Sequence, residues 1–263
     1  MTELTALEPV NVTSGKLTVR LAKNQDEIEA AQKLRYRVFI EEMGANPTPD
    51  VKEQRRDFDS FDPFCDHLIV ISEEIENGNP EVIATYRLMR RDAAKARGRF
   101  YSIDEYDIAP IVNFPGEILE LGRSCVDIRH RTKPVMQLLW KGIADYVAFY
   151  KIGIMFGCAS FPGTNPFIHA TALTYLYRNH LAPMEIRPKA LPERYFHMDV
   201  LKGQEIDAKR SLAALPPLIK GYLRLGGFVG DGAVIDHEFG TVDVSILVVT
   251  DLVTSKYAKH YTR

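Results

Sequence analysis

The sequence has few cysteines, no long apolar run and no excess of either charge, and each absence excludes a class of protein. Three cysteines, Cys65, Cys125 and Cys158, lie far apart without a CxxC pair or a Cys/His cluster. An odd number of dispersed cysteines indicates reduced thiols and argues against a zinc site. We therefore expect neither a disulfide bond nor a metal ion.

The apolar runs are also too short for a membrane-spanning helix. HLIVIS and SILVVTDLV fall well below the roughly 20 residues that such a helix needs. The first residues, MTELTALEPVNVTSGK, lack the basic start and apolar stretch of a secretory signal. We expect a soluble cytoplasmic protein with a flexible tail over residues 1–16. The 33 Lys and Arg nearly balance the 35 Asp and Glu, so the net charge gives no reason to expect a nucleic-acid partner.

Hydrophobic residues make up 46% of the chain, which is enough for a large core, and their period changes along the sequence. Strands are predicted at 17–22, 66–74, 81–89, 117–126, 152–158 and 242–250. Helices are predicted at 24–44, 134–151, 166–180 and 211–225. A turn is predicted at ENGNP, and the glycines of LRLGGFVGDG are interpreted as a helix stop and a turn. No polar linker divides the chain, so we predict one α+β domain over 17–263.

The predicted strand that contains LELGRSCV carries two charges, Glu120 and Arg123, three positions apart. Strand side chains alternate between the two faces of a sheet, so these two should point in opposite directions unless a bulge intervenes. Burying either charge in a central strand requires a partner. The pattern therefore indicates either a functional pair or two ion pairs that hold the strand to its neighbours.

Four stretches carry a resemblance to a known family: LRYRVFIEEMGA (34–45), DFDSFD (57–62), TYRL (85–88) and LELGRSCV (119–126). In order and spacing they resemble the signature stretches of acyl-homoserine-lactone synthases and the related ornithine N-acyltransferases. The order of elements resembles the GNAT acyltransferase fold, which implies a central mixed sheet with a bulged, splayed strand, flanked by helices. Residues 215–248 are similar to the C-terminal half of bacterial ornithine-lipid acyltransferases, so the region from about 160 to 263 is expected to be family-specific.

The resemblance implies a reaction. A 3-hydroxy fatty acyl group would pass from acyl carrier protein to the α-amine of L-ornithine, giving lyso-ornithine lipid, with no cofactor beyond the phosphopantetheine of the carrier. Weak peripheral contact with the inner face of the cytoplasmic membrane is expected, because the product is amphipathic. Three alternatives remain open: a lactone synthase, another carrier-dependent N-acyl amino acid synthase, and a protein that only binds the acylated carrier.

The resemblance also implies a set of site residues: Glu120 and Arg123 for catalysis, and Arg35, Phe39, Asp57, Asp59, Asp62 and Arg87 for substrate binding. Glu120 would remove the amine proton, directly or through water, and a bulge at Gly122 would open a slot for pantetheine. The three aspartates would attract the cationic side chain of ornithine, or else only order their loop and pair with Arg35. Phe39 would line the core or the acyl pocket.

Two basic segments flank this presumed site. The junction DIRHRTKPVM lacks the glycines that cradle a pyrophosphate in enzymes that use acetyl-CoA, which favours a carrier-bound donor. Because acyl carrier proteins are acidic, we expect basic residues to dock them, although such runs are often only solvated surface. The expected docking residues are Arg90, Arg91, Arg97, Arg129, Arg131 and Lys133.

Overall fold

The computed structural model describes residues 8–73 and 80–253 of the chain. The strands are β1 (Asn11–Ser14), β2 (Leu17–Leu21), β3 (Asp66–Ser72), β4 (Glu81–Arg90), β5 (Tyr106–Asp107), β6 (Glu117–Val126), β7 (Ile152–Pro162), β8 (Lys189–Ala190), β9 (Phe228–Asp236) and β10 (Thr241–Val249). The α-helices are α1 (Gln25–Tyr36), α2 (Pro49–Gln54), α3 (Arg91–Arg97), α4 (Ala109–Val112), α5 (Lys133–Tyr150), α6 (Ala170–His180), α7 (Ala208–Ala214) and α8 (Pro217–Arg224).

The strands form one mixed sheet in the order β1-β2-β3-β4-β6-β7-β10-β9-β8-β5. Its parallel pairs are β6 with β7 and β8 with β9, and its other neighbours are antiparallel. Successive residues of β6 pack on opposite faces: Leu119 joins the large core cluster that includes Leu139 of α5, and Ile118 joins a second cluster with Met89 and Phe156. Within the described ranges, every helix is too short or too polar to span a lipid bilayer.

Local sequence signals explain where the two main helices begin. The side chain of Asn24 accepts a 3.0 Å hydrogen bond from the backbone N–H of Glu27, as the prediction for α1 required. The predicted helix over 24–44 continues beyond Tyr36 as a π-helical segment, Arg37–Glu42. Pro134 lies in the first turn of α5, where its missing N–H costs no hydrogen bond.

The structure corrects three predictions. Residues 11–14 of the predicted flexible tail form β1 and pair with β2, while residues 1–7 lie outside the described residues. The helix predicted at 211–225 is two helices, α7 and α8, because the Pro216–Pro217 pair cannot continue the first. The helix stop predicted in LRLGGFVGDG is confirmed, since α8 ends at Arg224 and Gly226 follows with a φ of 86°. The turn is wrong, because β9 begins at Phe228 and its pairing with β10 overrides the low strand propensity of the glycines. The turn predicted at ENGNP lies outside the described residues except for Pro80.

β6 and β7 separate beyond their first residues. Their parallel pairing extends from Glu117 with Ile152 to Glu120 with Phe156, after which β6 pairs only with β4 and β7 only with β10. Gly157 follows the last pair, and a Cβ there would lie 2.2 Å from the carbonyl oxygen of Leu121. The predicted splay is therefore present, and a gap opens between the two central strands.

The predicted bulge is also present, one residue later than expected. Gly122 pairs with Arg87 and Cys125 pairs with Thr85, so Arg123 and Ser124 together oppose the single residue Tyr86. Arg123 has a φ of 51°, a left-handed conformation that few residues other than glycine adopt. The bulge thus lies at Arg123 and Ser124 rather than at Gly122.

Candidate active site

A cavity of about 570 Å³ fills the gap between β6 and β7. Its lining is mostly apolar, and it also contains Glu120, Arg123, Arg87 and Glu105. The remaining walls come from the π-helical segment with Phe39, from the start of α8, and from Phe239 after β9. A cavity of this size, apolar with a few convergent polar groups, is typical of a small-molecule site.

Glu120 is held in the cavity wall by backbone groups. Only 4% of the residue is exposed, Oε2 accepts a 2.8 Å hydrogen bond from the N–H of Tyr101, and Oε1 accepts a 2.7 Å bond from the N–H of Ser102. No ion pair joins Glu120 to another residue of the described chain. Burial raises the pKa of Glu120 above its ordinary value, although the two N–H donors act in the opposite direction. The alternative in which Glu120 only forms an ion pair is therefore wrong.

The bulge places Arg123 on the same side of the sheet as Glu120. The guanidinium carbon of Arg123 lies 4.9 Å from the ring centre of Tyr101, whose backbone N–H bonds to Glu120. A second ring, that of Phe239, lies 4.4 Å from the same guanidinium carbon. Glu120 and Arg123 are three positions apart, yet both contact Tyr101, because the extra residue of the bulge shifts the alternation of faces along β6.

Three arginines and three aspartates form a network behind the cavity: Arg35, Arg87, Arg123, Asp57, Asp59 and Asp62. Arg35 is 1% exposed and donates to Asp57 at 2.8 Å and to the two carboxylate oxygens of Asp62 at 3.0 and 2.8 Å. Arg87 donates to both oxygens of Asp59, at 2.7 and 2.8 Å, and to Asp62 at 3.2 Å. The formal charges of the six residues cancel.

The network bears on whether the three aspartates attract a cationic substrate or only order their loop and pair with arginine. Arg123 lies 3.3 Å from both Asp57 and Asp59, so each of the three acids already has arginine partners. Burial alone would raise the pKa of Asp62, but Arg35 holds it well below its usual range. None of the three aspartates, nor Arg35, lines the cavity, whereas Arg87 and Arg123 do. The acids order the arginines, and the prediction that they attract a cationic substrate finds no support in this geometry.

Phe39 lines the cavity and packs edge-to-face against Phe239, with ring centres 5.8 Å apart. This pair forms one wall of the cavity. The sequence predicted that Phe39 lines either the core or an acyl pocket. The two apolar rings suit an acyl chain more than a charged group.

Five of the six expected docking residues form bonds within the chain, and three of these, Arg90, Arg91 and Arg97, lie in or next to α3. Arg91 donates to the carbonyl oxygens of Val112, Phe114 and Gly116 at 2.6, 3.0 and 2.8 Å, which fixes the loop before β6. The backbone oxygen of Ser60 accepts from Arg97 at 3.1 Å. Arg90 donates to the hydroxyl of Tyr146 at 3.0 Å and stacks on the ring of Tyr150. These three arginines hold loops and helices in place, and their guanidinium groups are not free surface charges.

The other three docking candidates lie at the start of α5. Arg129 pairs with Asp127 and Glu81, and Arg131 donates to both oxygens of Glu42 at 2.5 and 2.7 Å. Arg131 also lines the cavity. Lys133 is exposed in the first turn of the helix. This group therefore borders the cavity, and Lys133 is its one member without an ion pair among the described residues.

The structure brings together a second acidic group that the sequence did not reveal: Glu105, Asp236 and Asp243. One carboxylate oxygen from each lies within 4.8 Å of the others, and all three residues line the cavity. The thiol of Cys158 donates to Glu105 at 3.1 Å. Asp236 and Asp243 lie on the neighbouring strands β9 and β10, whereas Glu105 is far from both in the sequence, so the fold places the three acids side by side. Such a set of oxygens can hold a metal ion or an ammonium group.

Comparisons with known proteins agree on the fold. Residues 34–141 match the model of a family described as Acetyltransferase (GNAT) domain. Among solved structures, an N-acyl amino acid synthase from uncultured soil microbes has a TM-score of 0.50 and 10% identity, covering 90% of this chain and 93% of the other. These matches confirm the predicted GNAT-like fold.

Two curated proteins are similar along almost the whole chain. The L-ornithine N(alpha)-acyltransferase of Agrobacterium fabrum is 45% identical over 250 residues, which cover 94% of this chain and 85% of that one. The protein of the same name from Rhizobium meliloti is 46% identical over 248 residues, covering 93% and 84%.

Proposed function

The chain belongs to the family of L-ornithine N(alpha)-acyltransferases, and on this premise we propose that it transfers a 3-hydroxy fatty acyl group from acyl carrier protein to the α-amine of L-ornithine. The observation that carries the proposal is the 45% identity to the Agrobacterium fabrum protein over 94% of the chain. The product would be lyso-ornithine lipid. This agrees with the reaction that the sequence motifs imply.

The cavity can accept a pantetheine arm. Beyond Glu120 and Phe156 the facing edges of β6 and β7 no longer pair with each other, so backbone groups of both strands border the gap. The two amides of pantetheine offer the donors and acceptors that an added strand would offer. The apolar walls, including Phe39, would receive the acyl chain.

The turn before α5 favours a carrier-bound donor over a free CoA. The carboxylate of Asp127 accepts a 3.0 Å hydrogen bond from the backbone N–H of Arg129 and pairs with the side chains of Arg129 and Arg37. A pyrophosphate at this helix start would meet that carboxylate instead of free N–H groups. A carrier-bound pantetheine has no adenosine pyrophosphate and avoids the conflict.

The reaction needs one proton acceptor. The α-amine nitrogen attacks the thioester carbonyl carbon, the C–N bond forms, and the C–S bond breaks as the thiol leaves. One amine proton passes to Glu120, directly or through water, and Glu120 then passes it to the departing thiolate, which leaves as the thiol and restores the carboxylate. A pKa above the ordinary carboxylate value makes Glu120 a stronger base, and its two backbone bonds fix its orientation. Arg123, in the same wall, would supply positive charge near the oxyanion that forms on the carbonyl.

The decisive experiment combines lipid analysis with an acceptor panel. The chain is expressed in a host that lacks N-acylated ornithine, and extracted lipids are analysed by mass spectrometry; the same host with Glu120→Gln serves as background. The purified protein is then given 3-hydroxyacyl carrier protein with ornithine, S-adenosylmethionine or other amino acids. We expect N-acylornithine only. Turnover with S-adenosylmethionine would instead identify a lactone synthase, and carrier binding without turnover a binding protein.

An amphipathic product must leave toward a bilayer. We expect weak, salt-sensitive binding of the protein to anionic vesicles, because exposed cations such as Lys133 act at the surface without an inserted segment. Co-sedimentation with anionic and with neutral vesicles, at low and high salt, measures this. Salt-resistant pelleting would contradict it.

A further inference from the structure

We propose that Glu105, Asp236 and Asp243 bind the side-chain ammonium group of the acceptor, and that they select ornithine over amino acids with uncharged side chains. This inference rests on the proposed function for the identity of the acceptor. It assigns the recognition of the cation to a cluster that lies outside the four motif stretches at 34–45, 57–62, 85–88 and 119–126.

The cluster is the part of the cavity where negative charge is least compensated. Its one ion pair within the described residues joins Glu105 to Arg194 at 3.8 Å, and the Arg194 side chain is 43% exposed, so water screens it. The positive charge of Arg123 also acts on Asp243, but Arg123 forms its ion pairs within the described residues with Asp57 and Asp59. Three carboxylates therefore face one exposed arginine and one that they share with other acids. The aspartates of DFDSFD differ, since three arginines balance them.

One oxygen of the cluster has no partner. Asp243 is 6% exposed and lines the cavity, yet its Oδ1 accepts no hydrogen bond from any residue in the described ranges. A buried carboxylate oxygen without a donor is costly and normally finds one. A primary ammonium group has three N–H donors, which matches one acceptor oxygen from each of the three acids.

The cluster is connected to the proposed base through one short segment. The backbone N–H of Ser102 bonds to Glu120, and Glu105 lies three residues later. Cys158 of β7 contacts both residues, with its Sγ 3.1 Å from Glu105 and 3.8 Å from the hydroxyl of Ser102. Glu120 and Glu105 both line the cavity. One acceptor molecule can therefore place its α-amine toward Glu120 and its side-chain ammonium toward the cluster.

The electrostatics of the cluster point the same way. Burial and the proximity of Asp243 raise the pKa of Glu105. Burial, together with Asp236, also raises the pKa of Asp243, against the opposing effect of the Ser160 and Thr241 hydroxyls. A cation among these groups would stabilise their ionised forms. Binding of a cationic ligand would thus reduce the repulsion among the three carboxylates, which the fold holds close together.

The test compares ornithine with norvaline, which has the same carbon chain without the side-chain amine. Binding to the wild type, Asp243→Asn and Glu105→Gln is measured by calorimetry, and acylation of both acceptors is measured with the same carrier donor. Asp231→Asn is the matched control, because Asp231 lies on the same strand as Asp236 but outside the cavity lining.

We expect Asp243→Asn and Glu105→Gln to weaken ornithine binding about 10- to 100-fold, the range of a charge-assisted hydrogen bond, while norvaline binding changes little. The loss should appear mainly in KM, with kcat at saturating ornithine largely kept. Asp231→Asn should leave both acceptors unaffected. Equal losses for ornithine and norvaline, or none for either, would overturn the proposal, as would loss of ornithine binding on treatment with EDTA, which would assign the cluster to a metal ion.

The two proposals fail in different ways. If the wild type acylates other amines but not ornithine, the proposed function fails, while calorimetry with ornithine and norvaline still decides whether the cluster binds the ammonium. If ornithine is acylated but the variants show no selective loss, only the assignment of the cluster is wrong.

Discussion

Ser102 donates its backbone N–H to the Glu120 carboxylate at 2.7 Å, inside the wall of the cavity between β6 and β7. Together with the bond from Tyr101, this contact leaves the carboxylate without a cationic partner in the described chain but with two neutral donors. The charge is thus not consumed by an ion pair and remains available to take up a proton.

Replacing Glu120 by Gln should separate chemistry from stability. We expect kcat to fall about 100- to 10,000-fold, because the base is lost while the shape is kept. One of the two backbone N–H groups would then face an amide NH₂, so the free energy of unfolding should fall by about 1–3 kcal/mol. Turnover at saturating substrates and urea unfolding on one preparation measure both. Near-normal turnover in the folded fraction would remove Glu120 from the chemistry.

Raising the pH provides the control for that variant. The free fraction of an α-amine with a pKa of about 8 increases with pH, so a variant that lacks only its base should regain part of its rate relative to the wild type. A variant in which the Tyr101–Ser102 segment has moved should regain no activity at higher pH. Absence of rescue would assign Glu120 a positioning role.

Lys133 is the expected docking residue that can be tested without breaking an ion pair or side-chain hydrogen bond among the described residues. Lys133→Glu should raise KM for the acylated carrier about 3- to 10-fold at low salt, less at high salt, and leave KM for ornithine unchanged. A glutamate in the first turn of α5 suits the helix dipole, so stability should not fall. Lys151→Glu, about 27 Å away at the other end of this helix, is the matched control. Equal effects of both reversals would argue against a docking surface at the start of α5.

Glu105 should make stability depend on pH in an unusual direction. Burial and Asp243 raise its pKa from 4.5 to about 7, so the folded protein binds the proton more tightly than the unfolded chain. The stabilisation that protonated Glu105 contributes is therefore complete below about pH 4.5 and is lost as the pH rises through about 7, by at most about 1.4 kcal/mol per pH unit. Urea unfolding of the wild type and Glu105→Gln across this range should show the difference, while Glu117→Gln, at an exposed position on β6, should follow the wild type. Parallel curves for wild type and Glu105→Gln would contradict the shift.

Gly157 should be essential to the geometry of the gap. A methyl group there would lie 2.2 Å from the Leu121 carbonyl oxygen, so Gly157→Ala should lower the free energy of unfolding by about 1–3 kcal/mol and distort the cavity. The same change at Gly122 meets only the Arg87 Nε at 4.0 Å and should cost little. Urea unfolding of both variants checks this, and similar stabilities would mean that β6 and β7 can move apart freely.

The sequence alone determined the elements that depend on local signals. Asn24 and Pro134 mark helix starts through capping and a missing N–H. The motif stretches also identified Glu120, Arg123, Arg87 and Phe39, all of which line the cavity.

Only the tertiary structure decided what those charges do. Whether an aspartate of DFDSFD is ion-paired depends on where the side chains of Arg35, Arg87 and Arg123 lie in the folded protein. The spacing of these residues along the chain does not predict those positions. The same holds for Glu105 and Asp243, which are 138 positions apart by number and meet only because β7, β9 and β10 pair across the sheet. Charge acts through distance and burial, both of which are properties of the folded chain. A local pattern can therefore predict which residues are present, but the fold determines which of them remain uncompensated.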